Sequence, residues 1–195
     1  MIGLIGHPIK QSYSPFIHNV AAQLKNIDYI YLPFDVVSDN LENALKGVVA
    51  LGIRGLNVTI PHKEKIIKYL DELSEDAAMI GAVNTIVNEH GKLKGYNTDI
   101  NGLLESLMEF KDFITGSKVC VIGAGGGARA VIYTLIRYFN PEQITIINRT
   151  IQRADTLHSY FSEKMRFYNL QTTDLFPPEL VETFHSSKLI VNSTP

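Results

Sequence analysis

Residues 118–129 read K-V-C-V-I-G-A-G-G-G-A-R, and this stretch decides the fold. Val119, Cys120, Val121 and Ile122 form an unbroken apolar run, the pattern of a strand buried on both faces of a parallel sheet. Gly123, Ala124, Gly125, Gly126 and Gly127 follow at once, and then a helical stripe of Val131, Leu135 and Tyr138. Strand, glycine turn and helix in that order give a G-x-G-x-x-G/A pattern its meaning. Gly123 permits a tight turn, Gly125 lets backbone N–H groups approach a pyrophosphate, and Ala128 allows close helix–strand packing. The helix start adds unpaired N–H groups and the positive end of its dipole. A glycine loop that only turns a corner is the plainer alternative; correct flanks on both sides favour a dinucleotide site.

Outward from this stretch, 195 residues are enough for one large domain or two small ones. The apolar content of 45% and charged content of 19% are those of a globular chain rather than a disordered one. A formal net charge of −2 gives no general affinity for nucleic acid or anionic membranes, and the basic residues are scattered without an aromatic platform. One cysteine excludes an internal disulfide framework and fits a reducing compartment. Cys120 lies inside the apolar strand and reads as a small buried hydrophobe. The six histidines lack metal-ligand spacing, so no metal site is expected. The N-terminus lacks a basic lead and no run reaches membrane-spanning length, so a cytoplasmic protein without leader or membrane partner is expected.

Before the glycine loop, strands alternate with helices. Ile2–Gly6 reads as a first buried strand ending at His7-Pro8. A helical stripe of Phe16, Ile17, Val20, Ala21 and Leu24 follows. Ser14 before Pro15 is placed as an N-cap would be; Ser12 is not explained by capping. The two hydroxyls at a strand end can equally bind a polyhydroxylated ligand. Strands at 29–36 and 54–59 flank a second amphipathic helix with Leu41, Ala44, Leu45, Val48 and Val49, closed by Gly52. This alternation predicts a largely parallel α/β sheet, whose ligand sites gather at the C-terminal strand ends.

At such an end stand Asn57, Thr59, Pro61, His62 and Lys63, before a helical stripe of Ile66, Ile67 and Leu70. Lys63 is expected in the first helical turn, one turn before Ile67 and facing inward. Either it serves catalysis or anion binding there, or its stem covers the core edge while the amine reaches solvent. Residues 80–96 read as a hairpin turning at Glu89, His90 and Gly91. Asp99 precedes a helix with Leu103, Leu104, Leu107 and Met108, and is either its N-cap or a carboxylate able to work with Lys63 as an acid–base pair.

After the glycine loop a strand at 143–147 leads to Asn148, Arg149, Thr150 and Arg153. In NAD-binding units an acid at this strand end accepts from the ribose 2′-hydroxyl. Here Asn148 and two arginines without a nearby acid suit a 2′-phosphate, which points to NADP. A polar connector is expected at 110–117, a third strand at 164–168, a helix at 176–184 entered through Pro177-Pro178, and a final strand at 188–192.

Taken together, KQSYSP, GLNVTIPHK, GAVNTI, GYNTD, GAGGGAR, NRT and the closing NSTP resemble shikimate dehydrogenases, in family order along essentially the whole chain. The resemblance implies an α/β protein of two domains. Residues 1–100 would form a mixed, mostly parallel open-sheet substrate domain. Residues 101–195 would form a Rossmann-like NADP-binding domain, incomplete at its C-terminus, with a linker helix at about 99–110 and a cleft between the halves. It implies reversible reduction of 3-dehydroshikimate to shikimate with NADPH, in aromatic amino-acid (chorismate) biosynthesis. Lys63 would be the catalytic lysine with Asp99 beside it. Ser12, Ser14, Asn57, Thr59, Asn84 and Asp99 would bind the substrate's carboxylate and hydroxyls. Gly123, Ala124, Gly125, Gly126, Gly127, Ala128 and Arg129 would hold the pyrophosphate, and Asn148, Arg149, Thr150 and Arg153 the 2′-phosphate. The expected partner is this small-molecule substrate, with no nucleic acid, in a monomer or homodimer. Family members continue past NSTP into C-terminal helices, so the chain is expected to be part of a longer one or a natural short form. A quinate/shikimate relative with relaxed substrate or NAD use, and a ligand-binding relative without catalysis, are the alternatives.

Overall fold

The computed structural model describes residues 1–175 and 180–194, which divide into two compact units, Met1–Thr98 and Asp99–Pro195. In the first unit the elements run β1 (Ile2–Gly6), α1 (Ser14–Leu24), β2 (Tyr31–Asp35), α2 (Leu41–Ala50), β3 (Gly55–Val58), β4 (Glu72–Leu73), α3 (Glu75–Ile80), β5 (Thr85–Glu89) and β6 (Lys92–Tyr96). They form one mixed sheet of order β2-β1-β3-β5-β6-β4. β1 pairs in parallel with β2 and β3, whereas β5 runs antiparallel to both β3 and β6. The hairpin forms because His90 and Gly91 both adopt positive φ, 54° and 92°, which a two-residue turn between twisted strands requires. Leu41, Leu45 and Val48 of α2 pack with Ile5, Leu56, Val58, Ile66 and Ile86 into the core on one face. Gly52 at φ 63° ends that helix, as its position past the apolar stripe predicts.

The second unit contains α4 (Asp99–Leu107), α5 (Lys111–Ile114), β7 (Lys118–Ile122), α6 (Gly126–Thr134), β8 (Gln143–Ile147), α7 (Ile151–Met165), β9 (Leu170–Thr173), α8 (Leu180–Ser186) and β10 (Leu189–Asn192). Its sheet is parallel throughout, in the order β10-β7-β8-β9. β7 and β8 are central and covered on both faces; Val119, Cys120, Val121, Ile144 and Ile146 are inaccessible apart from a trace. From β7 the chain steps one way to β8 and β9, and the other way to β10. The C-terminal end of β7 is therefore a topological switch point, where ligand crevices form in open α/β sheets. No helix among the described residues is long and apolar enough to cross a membrane.

Several expectations fail for identifiable reasons. The α1 stripe faces solvent: Phe16 is 69% exposed, Ile17 61% and Leu24 78%. The helix is held instead by Asn19, whose side chain bonds both the N–H and the carbonyl of Tyr31 at 2.8 and 2.9 Å, and by buried Ala22. The helix expected after Pro61 is a 3-10 segment, Lys65–Tyr69, because the chain must return at once to place β4 beside β6. The strand expected at 164–168 does not form: Lys164 and Met165 end α7, which stops at Arg166 with φ 54°, residues 166–169 are irregular, and the third strand is β9. The connector at 110–117 contains α5, anchored by fully buried Ile114. The strand β4 and helix α3 were not foreseen. Ser74 caps α3 by accepting from the Ala77 N–H at 3.2 Å, and Gly81 closes it at φ 69°. The helix expected at 176–184 is seen from Leu180 onward, and its Pro177-Pro178 entry lies outside the described residues.

Candidate functional site

The first unit gathers polar side chains at one set of strand ends. Val58 donates its N–H to the Asn84 carbonyl at 2.8 Å, and Val83 donates to the Lys63 carbonyl at 2.7 Å. The end of β3, the turn carrying Lys63 and the segment before β5 are thus bound to one another through main chain. Side chains extend the connection. Tyr31 Oη donates to Asn57 Oδ1 at 2.8 Å, Asn57 Nδ2 donates to Thr85 Oγ1 at 3.3 Å, and Thr85 Oγ1 donates to Asn84 Oδ1 at 3.0 Å. The same Asn84 oxygen accepts from the Thr98 N–H at 2.9 Å and its hydroxyl at 3.2 Å. Asn97 is held by donation from Nδ2 to the Ala82 carbonyl at 3.0 Å.

Lys63 is half-buried in the turn before the 3-10 segment rather than in a first helical turn, so a helix dipole plays no part at its position. His62 anchors that turn. Its side chain is fully buried, and Nε2 lies 2.6 Å from the Val36 carbonyl, which only an N–H donor satisfies. Burial holds its pKa below the ordinary histidine value, and nearby Lys65 and His7 act in the same direction against the hydrogen bond to Val36. Burial of Ile66 beside it contributes about 2 kcal/mol to the same anchor.

In the first unit Ser12 and Ser14 follow β1, and Thr59 comes directly after β3. The Ser14 N–H donates to Ser12 Oγ at 3.2 Å, so Ser12 serves the start of α1. Tyr13 occupies the N-cap without a side-chain bond, and Ser14 is the first helical residue rather than its cap. Asp99 likewise is the first residue of α4, directly after Thr98. Tyr31, Thr85, Thr98 and His62 were not singled out from sequence as site-forming residues. Their part depends on register and on which atoms donate; His62, Thr85 and Thr98 lie inside motifs that point to a site, and Tyr31 does not.

In the second unit the glycine loop follows β7. Gly123 stands at φ 111°, and a Cβ there would lie 2.6 Å from Ser193 Oγ, itself bonded to the Ile122 carbonyl at 2.8 Å. The N–H of Ser193 donates to that carbonyl as well, at 2.8 Å, which draws the residues after β10 against the loop. Gly125, the N-cap of α6, is different: a Cβ there would meet nothing within 4 Å. Open space in front of a helix N-terminus, with Gly126 and Gly127 in its first turn, fits a pyrophosphate. Arg129 is buried, its guanidinium lies 4.6 Å over the Tyr160 ring, and its N–H donates to the Gly125 carbonyl at 3.1 Å. Beyond β8, Asn148 Nδ2 donates to the Thr150 carbonyl at 2.7 Å and shapes the turn. Arg149 and Arg153 are exposed, with no acidic partner among the described residues. Such a pair of cations suits a phosphate monoester. Burial pushes the Cys120 thiol up to about 11, in keeping with a structural role.

These features define an α/β protein of two units, one with a polar strand-end cluster and one with a Rossmann-like glycine loop at its switch point. Residues 4–86 match the family model for the shikimate dehydrogenase substrate binding domain, and residues 105–194 the model for shikimate/quinate 5-dehydrogenase. The chain belongs to the shikimate dehydrogenase family. It is 46% identical to the NADP(+) shikimate dehydrogenase of Caldanaerobacter subterraneus subsp. tengcongensis over 194 residues, all of this chain and 68% of that one. Among solved structures it resembles a shikimate dehydrogenase in complex with NADP+, with a TM-score of 0.86 and 42% identity over 100% of this chain and 66% of that one. It also resembles the Thermus thermophilus enzyme in complex with NADP(H) and shikimate, with a TM-score of 0.79 and 34% identity over 99% and 67%. The chain spans between 57% and 68% of the length of the curated relatives it matches.

Proposed function

We propose that this chain carries the substrate-recognition and nucleotide-recognition residues of an NADP-dependent shikimate dehydrogenase. That cytoplasmic enzyme interconverts 3-dehydroshikimate and shikimate in aromatic amino-acid biosynthesis. The supporting observation is the mutual tethering of Asn57, Lys63, Asn84 and Thr98, which holds donors and acceptors of several kinds at one set of strand ends. A ligand with a carboxylate and several hydroxyls needs such a set.

In the forward direction 3-dehydroshikimate, NADPH and one proton give shikimate and NADP+. NADPH supplies the hydride that reduces the C3 carbonyl. Lys63 hydrogen-bonds the C3 oxygen and passes it a proton as the carbonyl becomes a hydroxyl; in reverse its amine takes that proton. Asp99 orients the same hydroxyl. Ser12, Ser14, Asn57, Thr59 and Asn84 hold the remaining oxygens. Gly123, Ala124, Gly125, Gly126, Gly127, Ala128 and Arg129 would receive the pyrophosphate, and Asn148, Arg149, Thr150 and Arg153 the 2′-phosphate.

The test is an assay of nicotinamide reduction with shikimate or quinate, each with NADP+ or NAD+, beside titrations of the same ligands. Turnover of shikimate with NADP+, faster than any other pairing, is the expected result. Preference for quinate or NAD+ would overturn the assignment of substrate or cofactor. Binding of shikimate and NADPH without turnover would overturn the catalytic part and leave a ligand-binding protein.

A further inference from the structure

The polar chain in the first unit has a direction, and one end of it can be fixed without ambiguity. The Thr98 main-chain N–H can only donate, so the Asn84 atom 2.9 Å from it is the amide oxygen. Thr85 Oγ1 lies 3.0 Å from that oxygen and must give it the hydroxyl proton. Thr85 Oγ1 therefore accepts from Asn57, at 3.3 Å, which makes the Asn57 atom the amide nitrogen. The oxygen of Asn57 is left to accept the phenol proton of Tyr31 at 2.8 Å. Each link follows from the one before, and the chain ends at a buried tyrosine.

Tyr31 is suited to closing such a chain. It opens β2, across β1 from Asn57: Tyr31 pairs with Ile2, Leu4 pairs with Asn57, and Ile2 and Leu4 share a face. The ring is 1% exposed, stacked on His18 at 4.2 Å and 4°, and its main chain is bonded on both sides by the Asn19 amide. Burial, with the nearby Tyr29 phenol, pushes the Tyr31 hydroxyl up to about 12, so it stays a donor through the neutral range.

We propose that Tyr31 is a positioning residue for substrate recognition, holding the Asn57 amide with its oxygen inward so that a substrate oxygen meets an N–H. This rests on the reading of Asn57 as a substrate-binding residue. The amide nitrogen carries two hydrogens, and among the described residues Thr85 takes one. An asparagine amide is nearly isosteric on rotation about its last bond, so packing alone does not choose the orientation; the run of donors from the Thr98 N–H does, and the Tyr31 phenol completes it by giving its proton to the oxygen. Tyr31 thereby holds this position ready to recognise a hydrogen-bond acceptor on the substrate.

The experiment is an equilibrium titration of the chain with shikimate, for the unsubstituted protein and for Tyr31→Phe, Asn57→Ala and the double variant. Side-chain amide resonances are followed in parallel. Tyr31→Phe should raise the shikimate Kd about tenfold. It should move the Asn57 amide resonances while leaving NADPH affinity unchanged, and it should add nothing in the Asn57→Ala background. Thr85→Val, which removes the middle link without touching the core ring, should weaken shikimate binding in the same non-additive way. The proposal is overturned if Tyr31→Phe and Thr85→Val bind shikimate as the unsubstituted chain does while Asn57→Ala weakens it. It is also overturned if the Tyr31 and Asn57 effects simply add. If Asn57→Ala too leaves shikimate binding intact, Asn57 does not touch the ligand, and the site reading falls with the proposal.

Discussion

The main-chain N–H of Val83 donates to the carbonyl of Lys63 at 2.7 Å. A residue before β5 and a residue after β3 are thereby fixed to each other in a unit where those strands run antiparallel. The bond holds the backbone of the Lys63 turn, while fully buried His62 and Ile66 hold it from below. A lysine placed in this way needs no helix to set its direction.

The two glycines that open the nucleotide loop should respond oppositely to a methyl group. At Gly125 an added Cβ meets open space and φ is −105°, so Gly125→Ala should change stability by no more than about 1 kcal/mol. The same methyl stands where a pyrophosphate must approach, and NADPH binding should weaken about tenfold or more. Gly123→Ala combines φ 111° with a 2.6 Å approach to Ser193 Oγ and should cost about 1–3 kcal/mol of folding free energy. Urea denaturation beside NADPH titration checks both. Equal stability losses at the two positions would contradict the assignment of the open face to the nucleotide.

Arg149 and Arg153 should discriminate between cofactors. Replacing either by alanine removes a charge-assisted contact to the 2′-phosphate and should weaken NADPH binding about tenfold to a hundredfold. NADH affinity should not change. Fluorescence titration with both nucleotides measures the difference, and a parallel loss for NADH would place these arginines elsewhere on the cofactor or merely in the fold.

His62 should make stability depend on pH with a definite sign. Its folded pKa lies below the ordinary value near 6.5, chiefly through burial. The unfolded chain therefore binds the proton more readily, and the stabilisation is complete above about pH 6.5 and lost as pH falls through the folded value. The stability gap between the unsubstituted chain and His62→Gln should shrink between pH 7.5 and 5.5 in denaturant titrations. A gap that stays constant would mean the imidazole is not held neutral.

What the sequence disclosed and what it hid follow from the range of the interactions involved. The glycine loop was readable because its strand, turn and helix are contiguous, and the His90-Gly91 hairpin because the turn demands two positive φ angles in a row. The candidate residues of both units lie in contiguous motifs and are legible as such. Tyr31 was not, because its hydroxyl reaches Asn57 across an intervening strand, and only the pairing register reveals that. The α1 stripe misled because helical periodicity says that a face is apolar, not that something lies against it. The two-residue strand β4 carries no period at all, and its place is set by pairing with β6. The third strand of the second unit was placed too early because Phe167 and Tyr168 read as strand formers, while α7 in fact persists to Met165.

The role given to the Lys63 amine is tested most directly by Lys63→Ala, with kcat for shikimate oxidation and Kd for NADPH measured on the same preparation. Loss of the group that exchanges a proton with the C3 oxygen should lower kcat by about a hundredfold to ten-thousandfold while NADPH affinity stays within about twofold. Equal losses in turnover and in nucleotide affinity, or turnover that survives the substitution, would contradict it.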